Sequence, residues 1–96
     1  MEFNWHVRFL PAARREFRKL DDSVKAEASE VLRELSDDPF LFGAALLRGY
    51  TDLYRIKFYR EQYRIVYQVA AGRRVVIWRV RPRSAAYIGL RNPSEI

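Results

Sequence analysis

Two runs of this sequence, Leu53-Tyr54-Arg55-Ile56-Lys57-Phe58-Tyr59 and Tyr63-Arg64-Ile65-Val66-Tyr67-Gln68-Val69, alternate apolar and polar side chains on either side of Arg60-Glu61-Gln62. Period-2 alternation marks a strand with one buried face. Parity places Tyr54, Ile56 and Phe58 on one face and Arg55, Lys57 and Tyr59 on the other. In the second run Tyr63, Ile65, Tyr67 and Val69 share a face, and Arg64, Val66 and Gln68 take its reverse. A connection of three polar residues makes the pair a hairpin. Ala71-Gly72-Arg73 turns the chain again, Arg74 to Val80 reads as a third, β-branched strand carrying Trp78, and Pro82 stops it.

Upstream, Phe3 to Phe9 alternates as a further strand, and Pro11 opens a helical pattern where its missing N–H costs nothing. Ala13, Phe17 and Leu20 form its apolar stripe. Asp21-Asp22-Ser23 supplies N-cap residues for a second, longer helix. Val24, Ala28, Val31, Leu32 and Leu35 recur at helical spacing, and Asp38-Pro39 ends it. Phe40 to Leu47 reads as an apolar loop or a short helix, and so does Ser84 to Leu90. A strand, two helices and a run of strands argue for an α+β fold: an N-terminal strand, a helical hairpin and an antiparallel three-stranded meander, with the helices on one face of the sheet. At 96 residues, with no linker or repeat, residues 1–96 are expected to form one domain.

Charge is uneven. The chain has 18 Lys+Arg against 12 Asp+Glu, a net of +6. Residues 1–48 hold 8 basic and 9 acidic residues, whereas 49–96 hold 10 basic and 3 acidic ones. A basic second half points to a polyanionic partner, foremost nucleic acid. There is no cysteine, so thiol nucleophiles, disulfides and zinc ribbons are excluded. His6 is the single histidine, which rules out a two-histidine ribonuclease mechanism. The acids of the basic half lack metal-ligand spacing, no Gly-rich phosphate loop is present, and Ser84 has no base beside it. No uncharged stretch approaches the about 20 residues of a membrane span, and no basic-then-apolar leader opens the chain, so a cytoplasmic protein is expected.

What remains is a cationic and aromatic set. Arg55 and Lys57 share a face, Arg64 lies on the neighbouring strand, and Arg83 and Tyr87 follow the last strand. Such a set suits RNA cleavage without a metal or cofactor. Guanidinium groups stabilise charge gathering on the phosphoryl oxygens, and clustered cations make a lysine or tyrosine easier to deprotonate. Arg48, Arg60, Arg79 and Arg81 are the candidate RNA-binding cations around it.

Leu47-Arg48-Gly49, Asp52-Leu53-Tyr54-Arg55-Ile56-Lys57, Tyr63 to Val69 and the ending Val80-Arg81-Pro82-Arg83 with Tyr87 resemble the RelE/ParE superfamily of bacterial and archaeal toxins. So do the order of elements and the helix Arg15-Glu16-Phe17-Arg18-Lys19-Leu20. The resemblance implies a small α+β toxin neutralised by a cognate antitoxin. RelE-type members cut mRNA in the ribosomal A site without metal, and ParE-type members inhibit DNA gyrase. A catalytically inactive basic interaction module is a third reading. By resemblance Lys57 is a general base or transition-state stabiliser, Arg64 clamps the phosphate, and Arg83 stabilises or protonates the leaving group. Tyr87 stacks on a base and orients the 2′-OH, and Arg55 supports the charge. Two departures stand out. Arg55 replaces a lysine, favouring an electrostatic role over proton transfer. Pro82 stands where many relatives have histidine, and a gap nearby makes Arg81 a second candidate for Arg83's place.

Overall fold

A computed structural model describes residues 4–90. The elements are β1 (His6–Phe9), α1 (Pro11–Arg18), α2 (Asp22–Asp37), β2 (Ala45–Leu46), β3 (Leu53–Phe58), β4 (Tyr63–Ala70) and β5 (Arg74–Pro82). They build a sheet of order β1-β5-β4-β3-β2 with both helices on one face. The expected α+β class and the three-stranded meander are present. The meander is antiparallel as expected, and the whole sheet is five-stranded and mixed, because β1 runs parallel to β5, pairing His6 with Arg74 through Phe9 with Ile77. The helical hairpin carries the chain from β1 at one edge of the sheet to β2 at the other, and the meander brings it back to β5 beside β1. Residue 3 of the expected first strand lies outside the described residues.

Pro11 occupies the first turn of α1. Asp21 is the N-cap of α2, yet its side chain makes no capping bond, so backbone geometry alone starts the helix. At the other end Asp38 Oδ1 accepts the Phe40 N–H at 2.9 Å, closing a turn in front of buried Pro39. Phe40 to Leu47 is neither a helix nor a plain loop: it makes turns and contributes the two-residue strand β2 against Tyr54 and Arg55. Ser84 to Gly89 forms consecutive turns, not a helix.

Ala13, Val24, Ala28, Val31 and Leu35 from the helices pack on Ile56, Phe58, Ile65, Tyr67, Val75, Ile77 and Val80 of the sheet. Each fully buried aliphatic side chain contributes about 1.5–3 kcal/mol relative to exposure. The buried Tyr67 hydroxyl donates to the Pro39 carbonyl at 2.6 Å, joining the central strand to the end of α2. Burial, with Tyr54 and Asp38 nearby, pushes the Tyr67 phenol well above its ordinary pKa.

β5 does not alternate strictly. Val66 opposes Arg79 and Tyr67 opposes Ile77, so Trp78 is an extra residue in a β-bulge. The bulge lets Val75, Ile77 and Val80 all enter the core, while Arg79 and Arg81 turn to the opposite face. Trp78 Nε1 donates to Gln68 Oε1 at 3.3 Å, and Gln68 Nε2 donates to Asp52 Oδ2 at 2.9 Å, which ties the bulge across the sheet.

Candidate functional site

The site is built on the sheet face that carries no helix. Strand register aligns Lys57 with Arg64 and Arg64 with Arg81. Neighbouring strands lie about 4.8 Å apart, so three cations cross the sheet in one row about 10 Å wide. The next row holds Arg55, Val66 and Arg79.

These cations are held in different ways. Arg64 sits at the centre: its Nη1 donates to the Glu61 carbonyl at 2.6 Å and to the Tyr63 carbonyl at 3.3 Å, while its Nε–H is buried without a partner. An unspent buried guanidinium donor is costly to keep, and such groups concentrate where a ligand completes them. Lys57 Nζ lies 3.9 Å from Glu61 Oε1. Arg55 Nη1 donates to the Gly43 carbonyl at 3.0 Å, which draws it toward the β2 side.

Arg81 is committed to the scaffold. Its Nε donates to Glu16 Oε2 at 2.7 Å and its Nη1 to the Ala85 carbonyl at 3.2 Å. Glu16 Oε1 also accepts the Val80 N–H at 2.9 Å, on the edge of β5 that β1 leaves uncovered past Ile77. Arg79 holds the C-terminal turns, its Nη1 donating to the carbonyls of Ala86 and Ile88. Burial, and Arg81 beside it, lower the Arg79 pKa from its ordinary value. The turns thereby lie over this face. That accounts for Val66 being buried outside the main core together with Leu53 and Ala86.

Arg83 is exposed. Its backbone N–H donates to the Gln62 carbonyl at 2.8 Å, which anchors it beside the β3–β4 turn and the Lys57–Arg64 end of the row. Its guanidinium has no hydrogen bond or ion pair among the described residues. Arg60 is exposed at the tip of the same turn. Tyr87 is placed elsewhere: it lines a cavity of about 230 Å³ with Leu47, Arg48, Tyr50 and Leu90. The structure therefore brings Lys57, Arg64, Arg81 and Arg83 together, sets Arg55 and Arg79 in the adjoining row, and gives Tyr87 and Arg48 a second location. Glu16, Glu27 and Glu61 were not singled out in the sequence, because nothing local marks an acid that acts on a strand or turn far along the chain. Among the described residues, no group of three or more His, Cys, Asp or Glu could hold a metal ion.

The turn from Tyr59 to Gln62 is unusual. Gln62 N–H donates to the Tyr59 carbonyl at 3.0 Å. The two central residues, Arg60 and Glu61, have φ of 56° and 64°, and Tyr59 has 54°. Positive φ at both central positions is the demand of a type I′ turn, normally met by Asn-Gly. Each non-glycine residue held there costs roughly 1–2 kcal/mol.

Residues 7–87 match the family described as ParE toxin of type II toxin-antitoxin system, parDE. The mRNA interferase toxin RelE of Escherichia coli (strain K12) is 34% identical over 88 residues, which are 92% of this chain and 84% of that relative.

The chain belongs to the RelE/ParE toxin superfamily.

Solved structures agree with that RelE/ParE membership. The isolated E. coli RelE toxin superposes with a TM-score of 0.73 at 32% identity, covering 81% of this chain and 83% of that one. RelE in the intact E. coli RelBE toxin–antitoxin complex gives 0.72 at 32% identity, over 81% and 95%. In this chain the helical hairpin on one sheet face leaves the other face for the cations. No helix among the described residues is long and apolar enough to cross a membrane.

Proposed function

We propose that this protein is the toxin of a toxin–antitoxin pair and that it is an endoribonuclease cutting mRNA in the ribosomal A site. A cognate antitoxin neutralises it, and it works in the cytoplasm. The observation that carries this reading is the register of Lys57, Arg64 and Arg81 across the open face, with Arg83 hooked beside it. The relatives support it: one is named an mRNA interferase, and a structural neighbour is a toxin bound to its antitoxin.

The chemistry follows from the residues. The ribose 2′-oxygen attacks the adjacent phosphorus and loses its proton, the bond to the 5′-oxygen breaks, and that oxygen takes up a proton. A 2′,3′-cyclic phosphate and a 5′-hydroxyl result. Arg64, central in the row, stabilises the phosphoryl oxygens as negative charge gathers there. Lys57, one strand away, serves the 2′-OH as base or electrostatic stabiliser. Arg83 has the free guanidinium at this end and serves the leaving oxygen, whereas Arg81 is spent on Glu16 and Ala85. Arg55 adds field from the next row. Tyr87 and Arg48 receive a base further along the strand, since a base can stack on a tyrosine face. The single strand is floppy, and the ribosome supplies the alignment that a small acid–base set leaves undone.

Primer extension on a defined mRNA, with and without programmed ribosomes, tests the reading. Cleavage only with ribosomes, at a fixed offset from the P-site codon, is the expected result. Intact mRNA in both lanes, from folded protein free of antitoxin, would overturn it. One observation favours a second reading, inhibition of DNA gyrase: the matching family is described as a ParE toxin. A supercoiling assay with the same preparation decides it.

A further inference from the structure

We propose that Glu27 of α2 is a positioning residue for the cation row, acting through the left-handed β3–β4 turn. The inference takes the row's role in RNA cleavage from the reading above. Tyr59, Arg60, Glu61 and Gln62 include no glycine or asparagine, so the turn's own residues do not favour its backbone. Something outside it must hold it. Glu27 Oε2 accepts the Tyr59 N–H at 2.6 Å, a charge-assisted bond from a residue 32 positions away. Ser23 Oγ lies 3.1 Å from the Tyr59 hydroxyl. Ser23 and Glu27 are four residues apart on α2 and so share one helix face. The Tyr59 ring also meets Tyr63 edge-on at 6.0 Å.

The fixed turn in turn fixes the site. The Glu61 carbonyl receives Arg64 Nη1 at 2.6 Å, and the Glu61 carboxylate lies 3.9 Å from Lys57 Nζ. The Gln62 carbonyl receives the Arg83 N–H at 2.8 Å. Two cations of the row, Lys57 and Arg64, and Arg83 beside it thus hang on Glu61 and Gln62, two consecutive residues of a turn held from α2. Without a side-chain acceptor at Glu27 the turn relaxes toward negative φ. The Glu61 carbonyl then swings off Arg64, and the guanidinium loses its fixed direction. Glu27 acts through the main chain of the turn, so its effect belongs to orientation, not to affinity.

The test compares the full-length wild type with Glu27→Ala and Glu27→Gln, since glutamine keeps an oxygen for the Tyr59 N–H. One readout is the Nε–H signal of Arg64 in protein labelled with ¹⁵N-arginine, assigned through Arg64→Lys. The other is the split of ribosome-dependent cleavage into kcat and KM. Glu27→Ala should broaden or shift the Arg64 signal and lower kcat at least tenfold with KM within twofold, and Glu27→Gln should restore both. An Arg64 signal unchanged in Glu27→Ala overturns the proposal, and so does a kcat loss that glutamine fails to restore. Where Glu27→Ala does not fold, Glu27→Asp, which draws the carboxylate back by one methylene, is judged by the same signal. If the wild type cleaves nothing, the functional reading fails, and the Arg64 signal alone still decides whether Glu27 positions the row.

Discussion

Arg64 combines two properties that seldom meet in one surface arginine: a guanidinium pinned by main-chain carbonyls and a buried donor left over. Pinning removes rotamer freedom before any phosphate arrives, and preorganisation of this kind lets a cation stabilise developing charge without reorganising. Lysine in its place keeps the charge but loses the fork. Arg64→Lys should therefore lower cleavage by about 10²-fold, the lower range for removing one preorganised donor, with an unchanged melting temperature. Single-turnover cleavage and thermal unfolding on one preparation check this. Tyr67 makes the same point for the core. Tyr67→Phe leaves the Pro39 carbonyl without its partner and should cost about 1–3 kcal/mol in urea unfolding. Parity in the sequence had already put Arg64 and Tyr67 on opposite faces. It had no means of showing that Arg64 would be held by a turn carbonyl, because a main-chain acceptor leaves no mark on residue identity.

At the scale of elements, the bulge in β5 does the aiming. Strict alternation from Val75 would send Ile77, Arg79 and Arg81 to one face. The extra residue Trp78 changes the phase, so Ile77 stays in the core and both arginines leave it. The arginines then hold neighbouring elements: Arg81 reaches Glu16 of α1, and Arg79 reaches the carbonyls of Ala86 and Ile88. Arg79→Ala should free the segment from Arg83 to Leu90 while the core stays folded. Limited proteolysis should cut there faster, with little change in the global unfolding midpoint. Glu16→Ala strands both the Val80 N–H and the Arg81 Nε–H. A loss of about 1–3 kcal/mol in urea unfolding is expected for the unpaired N–H alone.

For the whole molecule, charge and burial set the response to solution conditions. Association with single-stranded RNA should weaken with salt, since each neutralised phosphate releases counterions at a slope of about 0.7 per contact. Arg83→Ala, removing a cation that supports no fold contact, should flatten that slope by about 0.7 in a filter-binding series. Stability against alkali follows from Tyr67. Its folded-state pKa is raised, so the contribution is fully present below the unfolded value of about 10 and is lost as pH rises beyond it. Unfolding free energy should fall above about pH 10, and Tyr67→Phe should flatten that fall.

The helices, the three strands of the meander and the face each side chain takes on β3 and β4 were determined by the sequence itself. Periodicity is a local property: each residue's neighbours two, three or four positions away carry it. The family was legible for a similar reason, because the stretch from Leu47 to Val69 keeps its residue types in order. Only the tertiary structure decided the parallel seat of β1, the β2 pairing, the phase change at Trp78, the separation of Tyr87 from the cation row and the reach of Glu27 to the turn. Those depend on partners 8 to 68 residues apart, brought together when the helices bury their stripe on one sheet face. Local pattern states which side of a strand a charge occupies. Which carbonyl or carboxylate then holds that charge is fixed by packing, since the holder belongs to another element.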